Sequence, residues 1–228
     1  MISRKILLYK TRVAVSLRDF GIKHTIQKMF QDVLLSRFFL FRQYIIYEKH
    51  FAQIEFPKLN NPHFEFSFLS SNDNGLAEQI EKLSGISRDL VLEKVRNGGE
   101  CIIARNSDGL AGFNLISTGD RVHILYLDAF LSLSKSEVWG EQITVLPQYR
   151  RSGVATDIRY KLFERLLKRG YTKLIGGYVP FNKKSGLLAK KLGFVEREKV
   201  TLVRILIWKK LYSQKLSPSP SGLLLSLR

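Results

Sequence analysis

Val145-Leu146-Pro147-Gln148-Tyr149-Arg150-Arg151-Ser152-Gly153-Val154-Ala155 is the stretch whose reading decides the fold. An apolar run ends at a proline, a basic loop closes on a glycine, and an apolar stripe of helical period begins. That order predicts a strand over residues 137–146, a loop, and a helix over 154–169. The first amides of a helix lack intrahelical partners and carry the positive end of its dipole, so the junction is an anion site. Gly153 lets the backbone approach a ligand with no Cβ in the way, and Arg150 and Arg151 add charge. The loop is therefore read as a pyrophosphate cradle. It lacks the Gly-Lys-Ser/Thr ending of a P-loop, and one glycine does not make the dinucleotide fingerprint.

Working outward, Val154, Ile158, Leu162 and Leu166 form the apolar stripe of the helix. Arg159, Lys161, Arg165 and Lys168 are assigned to its polar face. Gly170 stops it; a strand over 172–179, a helix over 183–191 and strands from Phe194 and over 199–209 follow. Upstream, alternating Phe64, Phe66 and Phe68 predict a strand. Helices over 73–84 and 87–96, strands over 100–105 and 110–117 about Asp108-Gly109, and one strand over 122–131 complete the series. The class is α/β (α+β), a mixed sheet with antiparallel hairpins early and a strand–helix–strand unit later.

Arg150-x-x-Gly153-x-Ala155 after Val145-x-Pro147 resembles the acetyl-CoA-binding signature of the GNAT acyltransferase superfamily. Asn182, Ser185 and Leu192-Gly193-Phe194 are similar to that family's Asn-x-x-Ala/Ser…Gly-Phe segment at the family's spacing. The resemblance covers about residues 62–210. It implies the GNAT-like acyl-CoA acyltransferase fold for a domain over 62–212. It also implies an N-acyltransferase that moves an acetyl or other acyl group from acyl-CoA to a primary amine by direct attack. Acyl-CoA is the expected co-substrate, and no metal is expected. By the same resemblance Arg150, Arg151, Ser152, Gly153, Val154 and Ala155 bind the pyrophosphate, mainly through backbone amides. Ile143 and Val145 pair with the pantetheine arm, Asn182 and Ser185 line the groove, and an amide near Leu146 faces the oxyanion. Asn182 also reads as a helix N-cap.

Acyl transfer to an amine needs a base for the ammonium proton and a donor for the oxyanion. Glu141 is the candidate base, because in an ideal strand it shares a face with Ile143 and Val145; it also reads as a strand-edge surface acid. Glu137 and Asp128 are weaker substitutes. Many members of the family place a Tyr seven residues after the Asn to protonate the leaving thiolate; here that position is Ala189. Tyr178 and Ser185 are the nearby proton donors, and the change leaves room for a longer acyl group. The departure also motivates an alternative, a CoA-binding sensor or scaffold with weak or no catalysis. Cys101, in an apolar strand, reads as a small buried filler.

The chain has 228 residues and carries 37 Lys+Arg against 20 Asp+Glu, a net charge of +17. Such an excess calls for an anionic partner. Split along the chain it is +7 over residues 1–60, −4 over 61–140 and +14 over 141–228. The last block coincides with the proposed CoA loop, where Lys183 and Lys184 add to the arginines. A basic nucleic-acid binder is disfavoured, since no aromatic-basic stacking motif or recognition helix stands out. Residues 1–58 are read as a basic amphipathic helical extension. Within it, residues 29–47 are a helix on which Phe30, Leu34, Phe38, Phe41 and Ile45 recur. Its partner is an anionic membrane surface through residues 1–50, the main domain, or a second copy of the chain. The expected location is the cytoplasm, with a peripheral role at the inner membrane face. Residues 213–228, with Ser217-Pro218-Ser219-Pro220, are read as a flexible tail.

Overall fold

The computed structural model describes residues 13–14, 16–18, 21–23, 25–26, 39–52, 54, 56–57, 63–217 and 225–227. Its strands are β1 (Phe39–His50), β2 (Glu65–Phe68), β3 (Glu100–Asn106), β4 (Gly109–Ser117), β5 (Arg121–Ile124), β6 (Ala129–Ser132), β7 (Glu137–Val145), β8 (Lys173–Tyr178), β9 (Val195–Ile205), β10 (Trp208–Lys215) and β11 (Leu225–Leu227). After β1 the α-helices are α1 (Asn74–Ser84), α2 (Arg88–Arg96), α3 (Val154–Lys168) and α4 (Lys183–Lys191). Eight strands form one mixed sheet in the order β10-β9-β1-β8-β7-β4-β3-β2, and β11-β6-β5 form a second, smaller one.

The large sheet has a core on each face. Over one face, α3 and α4 bury Ile158, Leu162, Leu166, Ala189 and Leu192 against Ile102, Ala111, Val138 and Val145. The opposite face is shared. The pair α1 and α2 covers β3 and β4 through Ile80, Val91, Ile103 and Phe113. The small sheet covers β1, β7, β8 and β9 through Leu127 and Leu131 against Ile46, Trp139, Ile175 and Leu202. Local chemistry sets the ends. The Ser87 side chain accepts from the Leu90 amide to start α2, and Gly85, with φ 73°, stops α1. The buried Glu100 of β3 accepts from Arg169 (2.6 Å) and Arg165 (3.1 Å), which fixes α3 along the sheet.

Four expectations are corrected. Residues 39–47 are strand, not helix; residues 29–38 of that segment lie outside those described. β1 pairs antiparallel with both β8 and β9, so the sheet draws a central strand from the segment assigned to an extension over 1–58. Flanked on both edges and buried over Ile45–Glu48, β1 has apolar residues that need not alternate, and their spacing of three and four imitates a helix. Second, residues 122–131 are the hairpin β5–β6 rather than one strand, with Asp128 at φ 46° in its turn. Third, the last strand is a hairpin too, β9 turning at Leu206 (φ 53°) into β10. Fourth, β10 runs to Lys215 and Leu225–Leu227 pair with β6, so the segment read as a tail over 213–228 contributes sheet at both ends.

Candidate functional site

Parallel strands β7 and β8 pair only over Glu137–Trp139 and Lys173–Ile175, then diverge. Lys173 holds the closed end, forming ion pairs with Glu137 (2.5 Å) and Glu48 (3.7 Å). Beyond Trp139 the gap holds a cavity of about 290 Å³. From the α3/α4 face it is lined by Tyr47, Arg159, Asn182, Ser185, Ala189 and Phe194; from the other face by Tyr44, Tyr126 and Glu141.

A bulge shapes the rim of β7. Leu115 faces Gln142 and Ile116 faces Gly140, so Glu141 is the extra residue. The buried Asn114 braces it, its Nδ2 donating to the carbonyls of Gln142 and Leu115 at 3.1 Å each. The bulge breaks the ideal alternation. Ile143 and Val145 pack toward α3, whereas Glu141 turns to the opposite face, to Lys94 of α2 and Ser117 of β4 (2.5 Å). The expectation that Glu141 shares their face is therefore corrected. Both partners bond Oε1, and the side chain lines the cavity.

Backbone directions follow from the same ladder. The Leu146 amide donates to Ala111 of β4 (2.9 Å), so it is not the oxyanion donor. Alternation then aims the backbone groups of Ile143 and Val145 into the gap, where β8 no longer pairs. The Val145 carbonyl accepts from Arg150 Nε (3.2 Å), which folds the loop back on its strand.

At the loop, Arg151 (φ 67°) and Gly153 (φ 91°) are both in the left-handed region. Alternating such residues with ordinary ones makes a concave run of amides suited to an anion. A Cβ at Gly153 would meet nothing within 4 Å, so the space in front of it is open. Thr156 and Asp157 are the first helix amides to bond, both to the Gly153 carbonyl, which leaves the earlier amides of α3 to the loop. Ser152 Oγ donates to the Tyr149 carbonyl (2.7 Å). Val154 is buried in the core and Ala155 packs against it, so these two can contribute only backbone. This donor set fits a pyrophosphate.

Across the gap, Asn182 Oδ1 accepts from the Ser185 amide (3.3 Å), the cap that starts α4, and both residues line the cavity. Ala189 is buried on the same wall. Tyr178 lies at the rim and donates to Glu196 (2.6 Å); burial first, then that carboxylate, raise its pKa. Asp128 and Glu137 do not line the cavity. Asp128 is held by Lys209 and His123 (3.2 Å), with the Lys209 bond lowering its pKa most. Burial pushes the Cys101 thiol up to about 12, as suits an inert filler.

Arg159 is the residue that the sequence misplaced. It is 4% exposed and lines the cavity, not the polar face of α3. Ala155 and Phe163, four residues before and after it, were the signal, since both pack into the core and share its side of the helix. Among the described residues no helix is long and apolar enough to cross a membrane.

The model of the acetyltransferase (GNAT) family matches residues 68–194, more than half of the chain. Three similar solved structures each have a TM-score of 0.52. A Drosophila protein is 15% identical, with 82% of this chain and 58% of that one covered. A protein assigned to the GNAT family from Novosphingobium aromaticivorans is 15% identical, with 78% and 66% covered. A GCN5-related N-acetyltransferase from Sphaerobacter thermophilus is 10% identical, with 88% and 58% covered. The chain thus spans less than two thirds of the length of these relatives, and at such identity the likeness is one of fold. No curated protein matches it by sequence.

Proposed function

Given that this chain belongs to the acetyltransferase (GNAT) family, we propose that it transfers an acyl group, most simply acetyl, from acyl-CoA to a primary amine by direct attack. The observation that carries the reading is the divergence of β7 from β8 immediately before an open amide cradle at the start of α3.

In this reading the cradle Arg150–Ala155 holds the pyrophosphate, with Lys183 and Lys184 adding charge. The backbone groups of Ile143 and Val145 hold the arm of the substrate in extended form along β7. One of these amides, rather than that of Leu146, donates to the carbonyl oxygen as it gains charge, a role worth about 3–4 kcal/mol in comparable sites. The thioester supplies an activated acyl carbon and a stable leaving thiolate. Glu141 takes the ammonium proton through the oxygen that Lys94 and Ser117 leave unbonded, or through a water there. Ala189 cannot protonate the thiolate, so Ser185 or water at the cavity does.

Calorimetry with CoA and acetyl-CoA tests the reading. The native chain binds both, and Gly153→Glu, which puts a carboxylate into the cradle, weakens both by at least about tenfold. Unchanged binding of the variant, or no binding by the native chain, refutes it. A second reading, a CoA-binding sensor or scaffold, is favoured by Ala189 and by the ion pair on Glu141. Tight acetyl-CoA binding without thiol release on any amine would select it.

A further inference from the structure

The cavity carries a charge that the proposed reaction does not use. Arg159 projects from the second turn of α3 into the gap, and its Nε and Nη1 are buried with no hydrogen-bond partner among the described residues. Its polar contact is the Tyr47 hydroxyl, and the Phe194 ring lies 5.7 Å from Cζ. No described acid forms an ion pair with it; the cavity's carboxylate, Glu141, pairs with Lys94 instead. Burial lowers the guanidinium pKa and Tyr47 opposes that shift. An uncompensated buried guanidinium is costly, and it is kept where a partner arrives.

Its position says which part of a ligand that partner is. Nη1 lies 3.7 Å from the point where a Cβ of Gly140 would stand, at the first residue of β7 beyond its pairing with β8. The proposed arm runs from the cradle back along Val145 and Ile143 toward Gly140. An acyl group at its end therefore reaches Arg159, while the amine enters on the Glu141 face. The small Ala189 keeps that volume clear.

We propose that the acyl group transferred is a half-acid, such as succinyl or malonyl, whose free carboxylate binds Arg159 at the base of the cavity. The proposal rests on the acyl-CoA reading above and adds the class of acyl group. The unpartnered nitrogens' missing acceptor is then the carboxylate, and the charge that costs stability in the empty chain becomes the selector of the substrate.

The test compares CoA, acetyl-CoA, butyryl-CoA and succinyl-CoA by calorimetry on the full chain and on Arg159→Met. Butyryl matches succinyl in length and lacks its charge. The native chain is expected to bind succinyl-CoA about 10–100-fold more tightly than butyryl-CoA, the range of a hydrogen bond to a charged group. Arg159→Met abolishes that preference and leaves CoA and acetyl-CoA affinities within about twofold. Succinyl-CoA binding no tighter than butyryl-CoA, with CoA itself bound, overturns this proposal alone. Failure of all four to bind overturns the acyl-CoA reading instead. Should the variant not fold, the comparison of the four ligands on the native chain still decides.

Discussion

Gly176 and Gly177, before the last residue of β8, face the rings of Tyr47 and Tyr44, and replacing Gly177 with alanine sets two effects against each other. A Cβ there would lie 2.2 Å from Tyr44 Cε1 and 2.7 Å from the Ile45 carbonyl. The ring can turn, but the carbonyl belongs to β1 at the register position facing the next residue, and backbone cannot yield without opening the ladder. Overpacking of this kind costs about 1–3 kcal/mol. The lower entropy of the unfolded variant returns about 0.4–1 kcal/mol. The clash wins, with a net loss of about 1–2 kcal/mol. In a chain of this size that lowers Tm by about 2–8 °C. Because Tyr44 also lines the cavity, its displacement lowers acyl-CoA affinity in the same variant. Thermal unfolding followed by circular dichroism, with calorimetry on the folded variant, reads both. A variant as stable as the parent would show that β1 and β8 do not pack this closely, and would refute the reasoning.

Three further outcomes are expected. Glu141→Gln lowers kcat by about 10²–10⁴-fold in a thiol-release assay while acyl-CoA affinity holds, and full activity removes Glu141 from the base role. A chain starting at Pro57 loses the buried side chains of Leu40, Ile45, Ile46, Tyr47 and Phe51. At about 1.5–3 kcal/mol each the loss is comparable with a whole domain's stability, so urea unfolding of that chain shows no cooperative transition; a transition like the parent's refutes a structural β1. Burial alone would raise the Glu137 carboxyl, but Lys173 and Ser134 more than offset it, and its pKa falls below the usual range. Its contribution is full above the unfolded value of about 4.3 and is lost as pH falls toward the folded one. Glu137→Gln therefore flattens the acid limb of stability against pH, and an unchanged limb removes the residue from it.

The junction at Val145–Ala155 was legible because each of its signals is local: a proline, a glycine and a helix start. The capping role of Asn182 was legible for the same reason. What stayed hidden depends on distant partners. Nothing near Phe39–His50 shows that β8 and β9 flank it, so its apolar run carried no alternation to read. The bulge at Glu141 exists because Leu115 and Ile116 pair as they do, and an ideal strand drawn from sequence puts the carboxylate on the wrong face. Arg159 was assigned to solvent by its charge, although its helical neighbours Ala155 and Phe163 both face the core.

The place of β1 has a consequence for how the chain is made. Its register partners, from Lys173 to Tyr178 and from Val195 to Ile205, leave the ribosome well over a hundred residues after it. At about 5–20 residues per second the strand waits roughly 6–25 s with both edges open. Its run Phe-Leu-Phe-Arg-Gln-Tyr-Ile-Ile-Tyr is the kind of segment that pairs with any exposed edge it meets. Synthesis rate and holding chaperones, more than final stability, then govern the yield of soluble protein, and Arg42, Glu48 and Lys49 are the charges within that strand that oppose its self-association.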